Sequence, residues 1–182
     1  ADAEFFVNAD RAVASIDRRD QLARVTFAAG LGSLLDRVER LEWCTDVLLN
    51  QLALNEATSS HARRAAHLCK HDLVSQMVGE FPELQGVMGG KYLLAEGEAR
   101  PVALAVLEHY LPRGAGDGLP SSKAGAVVVN TMPMLRAGEL SQIVDKGEIS
   151  LALCDTRLME EMVACAKHSK HLKAVVGFDG TA

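Results

Sequence analysis

The sequence predicts a mainly α-helical bundle followed by a small α/β segment of β-α-β-α-β order with a short parallel sheet. Aromatic residues make up only 4% of the 182 residues although 48% are hydrophobic, so the core must be built from alanine, leucine and valine, which favours helices over a β-sandwich. Up to about residue 111, apolar residues recur at helical spacing. Beyond residue 122, short β-branched runs alternate with helical patterns, which is typical of a parallel sheet with right-handed crossovers.

The first helical region is expected from about Asn8 to Asn55. Its apolar residues recur near the 3.6-residue period and form one face, while charged residues fill the opposite face. Gly30 and Gly32 are expected to break the region into two helices. The apolar positions are Leu31, Leu34, Leu35, Val38, Leu41, Leu48 and Leu52.

The next helix is predicted from about His61 to Val78, after a loop at Asn55 to Ser60. Ser59 or Ser60 can cap its first turn, because a serine hydroxyl accepts a hydrogen bond from a free backbone N–H there. The apolar stripe of this helix consists of Ala62, Ala66, Cys69, Leu73 and Met77.

The run from Met77 to Gly89 reads MVGEFPELQGVMG. The helix is expected to stop at Gly79, and Pro82 fixes a turn. The glycines allow the backbone to turn sharply or to approach another segment closely. The elements predicted after this run are helices at Lys91–Glu96 and Arg100–Leu111, the second with Pro101 in its first turn, and a loop at Pro112–Ser122.

The last third of the chain is predicted to form a separate segment. We place the boundary at Ser121 to Lys123, which gives one domain at residues 1–122 and another at 123–182. The elements expected in the second are strands at Ala126–Val129, Ser150–Cys154 and Lys173–Val176, and helices at Arg136–Lys146 and Thr156–Lys170.

Charge and composition argue against some classes of function. The net charge of −5 argues against a general nucleic-acid coat, although a local basic face is compatible with it. No apolar run is long enough to span a bilayer and no signal peptide opens the chain, so we expect a cytoplasmic protein with reduced cysteines. Candidates for a basic patch toward RNA phosphates are Arg63, Arg64, Lys70 and Lys91, and a solvated helix face is the equal alternative.

One His-Asp dipeptide, His71-Asp72, suggests a metal site. A His, a His-Asp pair and a later Asp bind divalent metal in HD phosphohydrolases, where the metal activates water. His61 or His67 can supply the first histidine, and His67 and His71 are spaced to share a helix face. The alternative is a local polar pair on a helix, with His67 facing solvent. One dipeptide alone cannot fill a metal's coordination shell.

Residues 1 to about 120 resemble the β subunit of bacterial heterotetrameric glycyl-tRNA synthetase. The segment DAEFF at residues 2–6 is similar to that family's Asp-Ala-Arg-Phe-Phe block, and further blocks follow in the family's order. These blocks are VTF at 25–27 with LGSL at 31–34 and DRVER at 36–40, AAHLCKHDLV at 65–74, the run at 77–89, and EHYLPR at 108–113 with AGD at 115–117.

This resemblance implies the helical, HD-like portion of a larger subunit. In the family, a separate α subunit forms glycyl-adenylate from ATP and glycine, and the β subunit chiefly contributes tRNA binding. The resemblance therefore implies two partners, the α subunit and tRNA-Gly, and neither DNA nor a membrane. ATP and magnesium belong to the parent complex, and we expect this chain to bind no cofactor. The family usually carries a residue other than histidine before the aspartate, which implies a degenerate HD site at His67, His71 and Asp72.

Residues 123–182 resemble a different family, the AMP-forming acyl-CoA synthetases of the benzoate and 2-aminobenzoate type. The similar runs are Lys123–Leu140, Ile149–Met159 and Val175–Gly180. Such ligases need a Ser/Thr/Gly-rich loop ending in Pro-Lys and a distal lysine, and neither is present. The tail is therefore interpreted as a fragment joined to the first part by a natural, artefactual or engineered fusion.

Four functions are compatible with the sequence. One is a stand-alone module without catalysis that uses the helical part as a tRNA or protein platform, and the other three each name a parent enzyme. The first is a fragment of the glycine-tRNA ligase β subunit that supports tRNA-Gly binding and aminoacylation and is not catalytic alone. The second is an acyl-CoA ligase fragment. The third is a metal-dependent HD phosphohydrolase at His71-Asp72.

Overall fold

The computed structural model describes residues 2–28, 30–52, 54–112, 116–122, 124 and 135–178. The described elements are mostly helices, with one small parallel sheet, and the predicted fold class is confirmed. Residues 2–109 belong to one compact unit, together with 120–122 and 124, and residues 135–178 belong to a second. The predicted division at residue 122 stays a prediction, although Ala124, just beyond it, packs in the core of the first unit.

The first unit contains seven α-helices among its described residues. Its main core lies between the third, fourth, sixth and seventh helices, where Leu68, Leu93 and Val106 are at most 1% exposed. The helices are α1 (Asp2–Arg11), α2 (Ser15–Gln21), α3 (Leu34–Gln51), α4 (Glu56–Leu68), α5 (Gln76–Glu80), α6 (Val87–Ala95) and α7 (Arg100–Glu108). Short 3-10 helices occupy Leu22–Arg24, His71–Val74 and Pro82–Leu84.

The predicted break at the two early glycines is confirmed. Gly30 and Gly32 both have positive φ values, 75° and 76°, which residues with a side chain rarely adopt. The chain turns there, and Ser33 then caps α3 in a capping box with Asp36. The region before the break is not one helix, however, because α1 ends at Arg11 and α2 begins at Ser15.

The predicted helix at residues 61–78 is wrong in extent. It begins earlier, because the Asn55 side chain, rather than Ser59 or Ser60, accepts a hydrogen bond from Thr58 N and caps α4. It ends at Leu68, because Lys70 adopts a left-handed conformation with φ of 65°. A 3-10 turn at His71–Val74 and the separate helix α5 replace its second half.

The run at 77–89 folds as the sequence predicts in its main features. The helix stops within one residue of Gly79, and Pro82 opens a short 3-10 turn. Gly86 turns the chain with φ of 79°, and α6 starts directly after it, four residues earlier than predicted. Two further glycines, Gly89 and Gly90, lie inside α6 at points of close approach.

The second unit is a small two-layer α/β segment. Strands β1 (Leu151–Asp155) and β2 (Ala174–Phe178) pair in parallel, with Leu151 opposite Ala174. Helices α8 (Ala137–Lys146) and α9 (Met159–His168) pack on one face, around the fully buried Cys165. Both strands and both helices were predicted within a few residues. The first predicted strand, at 126–129, lies outside the described residues.

Within the described residues, no helix is both long enough and apolar enough to cross a bilayer.

Candidate functional site

A buried polar cluster lies where α1, α2, the 3-10 turn at 71–74 and α6 meet. Its members are at most 8% exposed although all are polar or charged. Because burying such groups without partners is costly, their hydrogen bonds show what the cluster does. The cluster consists of Asp10, Ser15, Arg18, Lys70, His71, Asp72, Ser75, Tyr92 and His109.

Asp72 caps the N-terminus of α6. Its Oδ2 accepts hydrogen bonds from Gly86 N at 2.6 Å and Gly89 N at 3.0 Å. These are free amides in the first turn of the helix, where the helix dipole also favours a negative charge. Burial raises the pKa of the Asp72 carboxyl, and the two amide hydrogen bonds oppose that rise. The Asp72 carboxylate therefore holds the N-terminus of α6 in place.

Asp10 caps the N-terminus of α5 in the same way. Its two oxygens accept hydrogen bonds from Gln76 N at 2.8 Å and Met77 N at 3.0 Å, the first amides of that helix. The hydroxyl of Tyr92 donates to Asp10 Oδ2 at 2.6 Å, which ties α6 to the same carboxylate. One aspartate from α1 thus fixes two later helices.

Arg18 closes the cluster on the α2 side. Its guanidinium donates to the carbonyls of Asp10 and Val13 at 3.1 and 2.8 Å, and it lies over the Tyr92 ring, 4.8 Å from the centroid. Glu96 lies 3.8 Å from it and also accepts hydrogen bonds from the backbone and hydroxyl of Ser15. These contacts join α1, α2 and α6.

His71 is a buried neutral histidine. Its Nε2 donates to the carbonyl of Gly89 at 3.3 Å, so the other ring nitrogen carries no proton. Burial, aided by the charge of Arg18, lowers the pKa of His71 to about 4. His71 Nδ1 and Asp72 Oδ1 are buried without a hydrogen-bond partner among the described residues.

Lys70 and His109 form a second buried pair. Lys70 Nζ lies 3.1 Å from His109 Nε2, and His109 Nδ1 lies 2.5 Å from the carbonyl of Val106. The consistent protonation has His109 donating from Nδ1 and accepting from the lysine at Nε2. Burial lowers the pKa of Lys70 to about 8. Burial and the adjacent lysine charge hold the pKa of His109 well below its usual value.

Acid should therefore destabilise the first unit through its buried histidines. Below pH 6.5 a histidine of the unfolded chain takes up a proton that buried His109 does not, so this contribution to stability is present above pH 6.5 and is lost as the pH falls. The expected slope is about 1.4 kcal/mol per pH unit for His109. The raised pKa of Asp72 acts in the opposite direction.

Urea unfolding at pH 7.0, 6.0 and 5.0 isolates the His109 contribution when the wild type is compared with H109Q. The variant should lose less stability on acidification than the wild type. H168Q, which changes an exposed histidine of the second unit, serves as the control for the substitution itself. Equal pH dependence in the wild type and H109Q would contradict the prediction.

The structure does not assemble the predicted metal ligands. His67 lies at the end of α4 and its Nδ1 is 2.9 Å from Glu42, whereas His71 follows the left-handed Lys70 and points into the core. The two histidines therefore do not share a helix face. Among the described residues no group of three or more His, Cys, Asp or Glu side chains is placed to hold a metal. The alternative was a local polar pair on a helix with His67 facing solvent. His67 is partly exposed, whereas His71 and Asp72 lie in the 3-10 turn and are fully buried.

The four predicted RNA-contacting cations are placed very differently. Lys70 is only 2% exposed, so it cannot contribute to a surface patch. Arg63 and Arg64 are exposed on α4, but each is hydrogen-bonded to a carboxylate, Asp46 and Glu98 respectively. Lys91 is exposed on α6.

Comparison with known proteins supports the family resemblance that the sequence blocks indicate. The family model of the glycyl-tRNA synthetase beta subunit matches residues 1–132. The chain belongs to this family. Its relatives include the glycine–tRNA ligase beta subunits of Acaryochloris marina, 48% identical, and of Gloeothece citriformis and Myxococcus xanthus, each 50% identical. Each alignment runs over 128 residues, which is 70% of this chain and 18% of the relative.

The chain thus spans about a fifth of the length of the curated relatives that it matches. The beta-subunit match runs to residue 132, about ten residues beyond the end at Pro120 that the blocks indicated. It therefore includes residues 123–132, the first part of the segment that resembles acyl-CoA synthetases. The resemblance of residues 133–182 to that second family stays a prediction.

The capping role of Asp72 was not predicted from the sequence. The dipeptide suggested catalysis, but its contacts are to backbone amides 14 and 17 residues later. A signal was available, because Gly86 and Gly89 are spaced as the N-cap and third residue of a helix without a capping side chain of its own. A helix start of that kind requires an acceptor from elsewhere in the fold.

Proposed function

We propose that this chain is a non-catalytic piece of a glycine–tRNA ligase β subunit that supports tRNA-Gly binding and aminoacylation together with a separate α subunit. The observation that carries the proposal is the beta-subunit family match over residues 1–132. The relatives bear the name of a ligase subunit, and this chain spans 18% of their length. The activity belongs to the whole assembly, and the chain contributes a folded part of it.

The polar cluster supports a structural role for the HD dipeptide. One oxygen of Asp72 accepts hydrogen bonds from two amides at the start of α6, and one ring nitrogen of His71 donates to a carbonyl of the same helix. Both side chains are fully buried, so a phosphoester in solution has no access to them. We therefore favour the ligase fragment over a phosphohydrolase, and assign ATP and magnesium to the parent complex.

The surface offered to tRNA includes Arg63, Arg64 and Lys91. Phosphate contacts need positive charge and reach, and these three side chains are exposed. Asp46 and Glu98 compete for the two arginines. A protein with net charge −5 and partly neutralised arginines should bind RNA weakly and with a marked dependence on salt.

Fluorescence anisotropy with a labelled tRNA-Gly transcript tests the proposal. We expect binding by the full chain at 50 mM salt and an affinity that falls by roughly tenfold or more at 200 mM. The chain alone should give no glycine-dependent ATP–pyrophosphate exchange. Absence of tRNA binding at every salt concentration, or exchange activity without an α subunit, would refute the proposed function.

A further inference from the structure

A groove of about 290 Å³ lies on the first unit between α4 and α7. Its volume is at the lower end of the range for small-molecule sites. Helix α4 contributes two polar side chains and α7 contributes a cation and two apolar groups. The lining residues are Thr58, His61, Arg100, Pro101, Leu104, Ser122 and Ala124.

The chemistry of this lining suits an anion that carries an apolar body. Among the described lining residues, none has a carboxylate, although the chain as a whole is acidic. Arg100 supplies a positive charge, and the imidazole of His61 offers an aromatic face. Pro101, Leu104 and Ala124 contribute apolar groups to the lining. A nucleotide has both an anionic group and an apolar body. Its phosphate can pair with a guanidinium, and its base can stack on an aromatic ring.

Arg100 differs from the neighbouring arginines of α4. Arg63 and Arg64 are held by Asp46 and Glu98, and their charges are largely compensated. Arg100 is exposed, and within the described part of the chain it makes no ion pair. Glu98, the acid nearest to it in sequence, is occupied by Arg64. A phosphate can therefore approach Arg100 without displacing a carboxylate.

We propose that the α4–α7 groove binds a single nucleotide of an RNA strand, with its phosphate on Arg100 and its base against His61. This proposal rests on the proposed function, since it names where that RNA meets the chain. The main phosphate contact is then Arg100 of α7 rather than Arg63 and Arg64 of α4. Thr58 provides a hydroxyl that can hydrogen-bond the ribose or the base edge.

Anisotropy titrations of the full chain with labelled tRNA-Gly at 50–200 mM salt test the groove. R100Q should bind about five- to tenfold more weakly and reduce the salt slope by about one. T58F, which fills the groove without changing charge, should weaken binding while keeping the slope. R24Q removes an exposed cation outside the groove and should stay within about twofold of the wild type. Circular dichroism should confirm that every variant is folded.

The outcomes separate this inference from the proposed function. If the wild type binds tRNA-Gly but R100Q and T58F bind it equally well, the groove assignment is overturned and the proposed function stands. If the wild type does not bind, both fall. Labelled polyglutamate serves as a second probe, and an equal dependence of its binding on Arg100 and Thr58 would identify an acidic peptide as the occupant and overturn the nucleotide assignment.

Discussion

Replacing Gly90 by alanine should lower the free energy of unfolding of the first unit by about 2–3 kcal/mol. Gly90 lies on the side of α6 that packs against α7. A Cβ atom there would come within 2.7 Å of both the Ala103 carbonyl oxygen and the Leu107 Cβ. Neither atom is the far end of a flexible side chain, so the two helices would have to separate.

Gly79→Ala is the matched control. Gly79 is also helical, in α5, and a Cβ at that position meets no atom within 4 Å. This variant should be stabilised by about 0.5–1 kcal/mol, because alanine loses less backbone entropy in a helix than glycine does. Urea unfolding followed at 222 nm measures both variants. Equal midpoints for Gly79→Ala and Gly90→Ala would show that close approach is not what requires glycine at position 90.

Asp72→Ala should destabilise the first unit by about 3 kcal/mol. The change removes the acceptor of two buried amides, Gly86 N and Gly89 N, and no solvent can replace it at a fully buried position. Asp72→Asn keeps one carbonyl oxygen in place and should cost only about 1 kcal/mol. A catalytic aspartate without a structural role would give a different pattern, in which both variants unfold like the wild type.

Asp46→Ala is the control for charge. Asp46 is exposed and pairs with Arg63 on the surface, so its removal should change stability by at most about 0.5 kcal/mol. Chemical denaturation of the three aspartate variants under one buffer condition gives the comparison. A loss for Asp46→Ala as large as that for Asp72→Ala would contradict the capping role.

Local patterns predicted the helices and strands well. The apolar period of α3 and the glycines before it are properties of a few neighbouring residues, and so are the short apolar run of β1 and the valine pair of β2. The residues at which helices begin and end were harder to predict. The break in the predicted helix at residues 61–78 falls at Lys70, a residue type that rarely adopts positive φ, and only tertiary packing around its buried side chain explains it.

The candidate site was the least predictable part. The sequence placed His67, His71 and Asp72 together because of their spacing, but that spacing has meaning only on a continuous helix. The hydrogen-bond partners of Asp72 lie in the first turn of α6, and Lys70 pairs with His109, 39 residues away. Burial separates Lys70 from the exposed arginines, and no local pattern reports burial of a single lysine.

The capping carboxylate of Asp10 has a consequence for the order of events during synthesis. Its partners are Gln76, Met77 and Tyr92, which follow it by 66, 67 and 82 residues. A ribosome must therefore add those residues before the Asp10 carboxylate finds its native partners, and α5 has no tertiary cap until α1 returns to it. At about 5–20 residues per second, this interval lasts several seconds. During that time Phe6 and Val7 of α1 lack the apolar cluster around Met77 and Tyr92 against which they pack in the native fold.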